Sequence, residues 1–257
     1  MDTNSYILTI AGFDPSSGAG LTSDIKTFEA FGLYGLSVCT SVTVQNDQTF
    51  KASHWQASEV ILDQINTLFE RFEIDTVKIG IVENWHTLNL IVARLRTLNP
   101  RIKIILDPVL KASAGFDFHS EDDLSILDQI LDQIFIITPN YDEIKQLYPE
   151  KNINETITHI STKTNLYLKG GHRQDKKGWD EIYTNNSLMV SIRPTVDKIY
   201  DKHGSGCVLS ATLAAYLKLG LSLEEAAVNT KSYMEKFLNS NKSLLGTHSY
   251  GNLLKRL

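Results

Sequence analysis

Apolar runs of strand length alternate with segments of helical period along nearly the whole chain, and this rhythm constrains the fold more than any single motif. Tyr6–Gly12 (YILTIAG) is apolar on both faces, as a strand buried between two helical layers requires. Leu21, Ile25, Phe28 and Phe31 then recur at helical spacing, with Gly32 as a helix stop. The same reading predicts strands at Leu36–Val44, Thr76–Val82, Lys103–Asp107, Phe135–Thr138 and Leu166–Leu168, then a hairpin from Glu181 to Arg193 turning at Asn185-Asn186. Helical stripes fall at Val60–Phe72, Trp85–Leu98, Leu124–Leu131 (opened at Ser120) and Cys207–Leu219. A last helix, Ser222–Leu238, starts with a Ser222-x-x-Glu225 capping box. Such alternation implies one α/β domain over residues 1–257, with a mainly parallel central sheet and helices on both faces. In such sheets ligands bind beyond the carboxyl ends of the strands, so the loops after strands are where chemistry is sought.

Composition narrows the class. At 257 residues, 42% hydrophobic and 21% charged, the chain has enough apolar side chains for an ordinary packed core. Lys plus Arg number 25 against 30 Asp plus Glu, a formal charge of −5, and no basic block is present; nucleic acid and anionic membrane are therefore not expected partners. The two cysteines, Cys39 and Cys207, have no Cys-x-x-Cys spacing and no companion histidines, so neither a disulfide framework nor a structural zinc site is expected. Cys39 reads as core. The acidic start Met1-Asp2-Thr3-Asn4 lacks the features of a signal peptide, and no apolar run approaches the ~20 residues of a membrane span. The expectation is a reduced, soluble, cytoplasmic protein.

Five segments carry residues suited to chemistry. In Asp201-Lys202-His203-Gly204-Ser205-Gly206-Cys207 a Gly-x-Gly turn runs straight into a helix, where amides and the helix dipole favour a phosphoryl group. A thiol in that first turn is expected to have a lowered pKa and to take a proton from a substrate hydroxyl. By itself the segment is equally consistent with a glycine-rich helix start whose cysteine is a small buried apolar residue. Gly12-Phe13-Asp14-Pro15-Ser16-Ser17-Gly18-Ala19-Gly20 is a glycine-dense loop after the first strand, neither a Walker A loop nor a Rossmann fingerprint. Asp107 ends a strand, and Asn140-x-x-Glu143 follows another; carboxylates there suit Mg²⁺ and its waters, while helix capping by Asn140 is the plainer alternative. Lys169-Gly170-Gly171-His172 offers a lysine to phosphates, and Gln45-Asn46 an amide to a heteroaromatic ring.

In this order the segments resemble the hydroxymethylpyrimidine/phosphomethylpyrimidine kinases of the ribokinase-like superfamily. Leu8-Thr9-Ile10-Ala11-Gly12-Phe13-Asp14-Pro15-Ser16-Ser17-Gly18-Ala19-Gly20 with Asp24-Ile25-Lys26-Thr27-Phe28, Val44-Gln45-Asn46, Lys78-Ile79-Gly80, Leu106-Asp107-Pro108-Val109, Thr138-Pro139-Asn140-x-x-Glu143, Lys169-Gly170-Gly171-His172 and His203-Gly204-x-Gly206-Cys207 carry the likeness. The resemblance implies transfer of the ATP γ-phosphate to 4-amino-5-hydroxymethyl-2-methylpyrimidine and then to its monophosphate, in thiamine diphosphate biosynthesis, by an enzyme that is commonly a homodimer. It implies Cys207 as base and Gly204, Ser205 and Gly206 as the anion hole. Gln45 would pair with the ring inside a pocket of Gly12, Ala19, Thr43, Ile81 and Val109. Asp107 and Glu143 would act through Mg²⁺, with Lys169 and Asn140 on the nucleotide side. Departures are Ser205 for the usual threonine, Ile81 for methionine, a short polar stretch between Tyr148 and Lys169 that implies a trimmed nucleotide side, and a Gly246-Thr247-His248-Ser249-Tyr250-Gly251 tail. A pyridoxal or pyridoxine kinase of the same branch, and a vitamin-binding regulator without activity, are the alternatives.

Overall fold

Residues 6–110, 124–171, 173 and 176–249 are described by the computed structural model of the chain. Its elements are β1 (Tyr6–Phe13), α1 (Gly20–Ala30), β2 (Tyr34–Gln45), β3 (Phe50–Trp55), α2 (Ser58–Phe69), β4 (Thr76–Ile79), α3 (Trp85–Leu98), β5 (Lys103–Leu106) and α4 (Leu124–Leu131). They continue with β6 (Ile136–Ile137), α5 (Glu143–Leu147), α6 (Ile153–Lys163), β7 (Asn165–Leu168), β8 (Asp180–Thr184), β9 (Ser187–Ile192), α7 (Ser205–Lys218) and α8 (Leu223–Leu238). One sheet results, in the order β3-β2-β1-β4-β5-β6-β7-β8-β9. From β2 to β7 every pairing is parallel, and β3, β8 and β9 join antiparallel at the two edges.

Side-chain alternation along the central strands builds two cores. Leu8, Ile10, Val77, Ile79, Ile104 and Leu106 point to one face and pack with residues of α2, α3, α4 and α6. Ile7, Ile105, Ile136 and Tyr167 point to the other and meet α1, α7 and α8. On that second face sits an exception, Lys78, fully buried in the middle of β4 and paired at 2.8 Å with Asp24 of α1, whose same oxygen accepts the Thr9 hydroxyl at 2.5 Å. A local break of the apolar pattern inside a core strand marks a functional region.

Several sequence expectations recur in detail. Gly32 leaves α1 with φ +73°, Asn185 and Asn186 both have positive φ in the β8–β9 turn, and Ser222 and Glu225 bond reciprocally at the start of α8. Others need correction. The stretch between Tyr148 and Lys169, polar as it is, does form a helix: α6 fills it, opened by an Asn152–Glu155 capping box, with Ile153, Ile157 and Ile160 turned toward the core. Three isoleucines at i, i+4 and i+7 suffice for an amphipathic helix, and the polar residues between them masked the stripe. Edge strand β3 went unread because FKASHW is half exposed and has little apolar alternation. Cys39 is only half-buried, its thiol donating to the Ser41 carbonyl. The Ser120 helix start, His172 and Tyr250-Gly251 lie outside the described residues. Among the described residues no helix is long and apolar enough to cross a membrane.

Candidate active site

Two helices begin at one point without a side-chain cap. Ala19 precedes α1 and Gly204 precedes α7, and neither end has a side-chain oxygen satisfying its first amides. The two dipoles therefore point at the same space above the carboxyl ends of the parallel strands, although the Ser205 amide also donates weakly to the Lys202 carbonyl at 3.4 Å. Glycine is needed on both sides. A Cβ on Gly20, at φ +60°, would lie 2.2 Å from the Gly12 carbonyl oxygen, and one on Gly204, at φ +72°, would lie 2.1 Å from that of Gly18. Cys207 is the third residue of α7, and the Gly20 amide at the start of α1 donates to its sulfur.

The lowered thiol pKa expected from the helix start is not what the surroundings produce. Burial pushes the Cys207 thiol up to about 11; Lys78 and the Gly20 amide pull it down, while Asp24 and Asp107 push it further up. The side chain is half-buried in the cavity lining, and desolvation there outweighs the pull of Lys78 and the Gly20 amide.

Asp14 organises the first loop. Its two oxygens accept the Ser16 amide and hydroxyl at 2.8 Å, the Gly18 and Ala19 amides at 3.1 and 2.8 Å, and the His203 ring nitrogen at 2.9 Å. The carboxylate thereby ties the first loop to the turn before α7. Burial opposes its charge, but His203, the Ala19 and Ser16 amides and the Ser16 hydroxyl outweigh burial and hold its pKa down to about 2. A depressed folded pKa adds stability above the ordinary value, and that stability is lost as pH falls through the folded one. Asp14→Asn is expected to cost ~2 kcal/mol near neutrality. Urea titrations of both proteins should show that gap closing as pH drops from about 5 toward 2; a gap of constant size over that range would contradict the assignment.

A second cluster stands at the ends of β5, β6 and β7. Lys169 donates to Asp107 at 2.9 Å and lies 3.6 Å from Glu143, while Asp107 also accepts the Ser210 hydroxyl of α7 at 3.1 Å. A Cβ on Gly206 would be 3.6 Å from the Lys169 ammonium, so this charge stands beside the first turn of α7. Burial works against that ammonium, yet Asp107 and Glu143 hold its pKa above the usual lysine value. Burial raises the Glu143 carboxyl, Lys169 lowers it and Asp107 raises it again. Among the described residues no group of three or more His, Cys, Asp or Glu forms a metal cage. Mg²⁺ beside phosphates asks for one or two carboxylates and keeps its waters, and Asp107 and Glu143, both gathered around the Lys169 ammonium, supply that donor set. Asn140 acts as the plainer alternative foresaw: its side-chain oxygen accepts the Asp142 and Glu143 amides, and Glu143 accepts the Asn140 amide in return.

The residues to which the resemblance gives a role all line one cavity of about 570 Å³: Gly12, Ala19, Thr43, Gln45, Ile81, Asp107, Val109, Asn140, Glu143, Lys169, Gly204, Ser205, Gly206 and Cys207. Its lining reaches across the sheet, from Thr43 and Gln45 of β2 to Asp180 of β8. At the β2 end the Gln45 amide has no side-chain partner among the described residues, whereas the Thr43 hydroxyl is committed to the Phe13 carbonyl at 2.8 Å. At the far end Ile199, Tyr200, Met234 and Leu238 form an apolar wall that sequence reasoning missed. No local motif marks it, since its members come from a loop and one face of α8. Asp14, His203 and Lys78 were also given no role, although a charge inside an apolar strand and an acid within a glycine loop were visible signals.

The sequence profile of the phosphomethylpyrimidine kinase family matches residues 14–252. The chain is 32% identical over 248 residues to the hydroxymethylpyrimidine/phosphomethylpyrimidine kinase of Aquifex aeolicus, covering 92% of this chain and 95% of that one. It is 30% identical over 255 residues to the enzyme of the same description from Escherichia coli K12, covering 95% and 94%. The crystal structure of a phosphomethylpyrimidine kinase from Clostridium difficile superposes with a TM-score of 0.72 at 30% identity, covering 89% and 97%. Staphylococcus aureus pyridoxal kinase in complex with pyridoxal gives 0.80 at 23% identity, covering 96% and 93%, a likeness of fold. With a match of this span over a site assembled from the same segments, the chain belongs to the phosphomethylpyrimidine kinase family.

Proposed function

We propose that the protein transfers the γ-phosphoryl group of ATP to the hydroxymethyl oxygen of 4-amino-5-hydroxymethyl-2-methylpyrimidine, and in a second turnover to the monophosphate so formed, as a cytoplasmic homodimer in thiamine diphosphate biosynthesis. The observation that carries this reading is the meeting of Cys207, Lys169 and the first-turn amides of α7 in one cavity whose ends suit two different rings. The activities for which the Aquifex and Escherichia relatives are named support the same acceptor.

The acceptor ring lies at the β2 end. There the Gln45 amide both donates to and accepts from the aminopyrimidine, and Gly12, Ala19, Thr43, Ile81 and Val109 line its faces. Cys207 takes the hydroxyl proton while the alcohol oxygen bonds to the γ-phosphorus. The bond from that phosphorus to the β–γ bridging oxygen breaks, and its electron pair leaves with ADP. The Gly204, Ser205 and Gly206 amides and the Lys169 ammonium meet the charge on the phosphoryl oxygens in transit. Asp107 and Glu143 would hold Mg²⁺, which would supply neutralisation of phosphate charge when bound. Asn140 keeps Glu143 in place.

An ADP-release assay with the pyrimidine alcohol and with its monophosphate tests the proposal: turnover is expected with both, and no turnover with either would reject it. Gln45→Leu is expected to raise the KM for the alcohol by about 10- to 100-fold and to leave the KM for ATP unchanged. The same assay has a second arm with pyridoxal, because the shape of the ring pocket decides between the two acceptors. Ile81 stands against Gly12, its Cγ2 3.1 Å from where a Cβ would be, so a β-branched wall shapes the ring pocket. The ratio of kcat/KM for the two rings decides the preference.

A further inference from the structure

Buried lysines normally face a carboxylate, because an unpaired charge taken out of water is costly. Around the cavity Lys78 faces Asp24, Lys169 faces Asp107 and Lys231 faces Asp180. Lys202 does not. It is 6% exposed, and its ammonium donates to two main-chain carbonyls, Asn241 and Ser243, each at 2.8 Å. The Tyr200 ring lies 5.7 Å away, and the adjacent Asp201 favours the charge from a distance without forming an ion pair among the described residues.

Those carbonyls belong to a strap that follows α8. The strap is internally bonded: the Asn241 side chain accepts the Ser243 amide and donates to the Leu245 carbonyl, and the Thr247 amide donates to the Ser240 hydroxyl. It touches both loops of the site. The His203 amide donates to the Leu244 carbonyl at 2.9 Å, and a Cβ on Gly18 would meet Leu245 at 2.8 Å. The turn before α7 is thus clamped from two sides, by Asp14 through the His203 ring and by the strap through Lys202 and the His203 amide.

We propose that the Lys202 ammonium is a built-in monovalent cation, a fixed positive charge in a carbonyl nest that holds the 240–245 strap against the phosphate-binding turn. An ammonium N–H and a dehydrated potassium ion ask for the same ligands, carbonyl oxygens in place of a hydration shell. Removing the lysine head therefore leaves a nest that a small cation of matching size fills. Lys202 is a positioning residue here: it acts through the Gly204–Cys207 amides, and this part rests on the kinase reading above.

The test compares wild type with Lys202→Met in chloride salts of tetramethylammonium, potassium and ammonium at one ionic strength. Wild type is expected to behave alike in all three. In tetramethylammonium the variant is expected to show a KM for ATP raised about tenfold or more, with a lowered Tm, and potassium or ammonium should restore most of both. Wild-type constants for the variant in tetramethylammonium would overturn the proposal. So would a loss that neither small cation reverses, or a wild type whose rate changes severalfold between the salts. The Tm arm needs no substrate: cation-dependent recovery without turnover of either pyrimidine would sustain Lys202's role while rejecting the kinase reading. If the methionine variant does not fold, Lys202→Gln, which keeps a donor without the charge, is carried through the same series.

Discussion

Cys207→Ala is expected to lower kcat for phosphorylation of the hydroxymethyl group by about 10²- to 10⁴-fold, with the KM for the alcohol and for ATP changed little. Alanine is a good helix former and leaves the Gly204–Cys207 amides in place, so Tm should move little. The pH dependence separates a base from a packing role. With the thiol pushed up to about 11, only about one Cys207 in 10⁴ is deprotonated at pH 7, and that population grows tenfold per pH unit. The wild-type rate should therefore climb through the alkaline range, and the alanine variant should lose that slope. The second phosphorylation provides an internal control. Its nucleophile is a phosphate oxygen already ionised at neutral pH, so it needs no base and should fall less than the first. Equal losses in both steps, or a variant with the parent's rate and pH slope, would remove Cys207 from the chemistry.

Gly204→Ala carries the second large effect. The new Cβ would lie 2.1 Å from the Gly18 carbonyl oxygen and 2.7 Å from the Ala19 Cα, both main-chain atoms that no rotamer change relieves. The φ of +72° adds about 1–2 kcal/mol for any L side chain. The turn must shift by an ångström or more, opening the His203–Asp14 contact and moving the amides aimed at the phosphoryl group. We expect a loss of at least about 3 kcal/mol in stability and of more than about 10²-fold in turnover. Gly220→Ala is the matched control: its φ is +90°, but nothing lies within 4 Å of the added Cβ, so it feels the backbone cost of about 1 kcal/mol alone. If Gly204→Ala proved no worse than Gly220→Ala in urea titrations, the close packing of the two loops would be refuted.

Legibility followed the range of the interactions. Apolar periods, Gly32, the Asn185-Asn186 turn and the Ser222-x-x-Glu225 box depend on neighbours a few residues apart, and the structure repeats them. Elements whose stabilising face is small or shared escaped: α6 relies on three isoleucines, and β3 on pairing with β2. Site segments were visible because Gly-rich turns and strand-end carboxylates are local, and the parallel sheet brings the strand ends to one edge. Their partners were not. Thr43 gives its hydroxyl to Phe13, 30 residues away, and Asp14 gives an oxygen to His203, 189 residues away.

By itself, the order of residues determined the layered α/β architecture and which glycine-rich and strand-end loops would surround the cavity, since these follow from backbone propensity and from the period at which apolar residues recur. Tertiary structure alone decided how those side chains behave. The Cys207 thiol is raised rather than lowered because desolvation depends on everything folded over it, and Lys202 finds carbonyls because a strap from beyond α8 returns to it. Charge and hydrogen bonding act through space, and the distances they act across exist only once the chain has closed on itself.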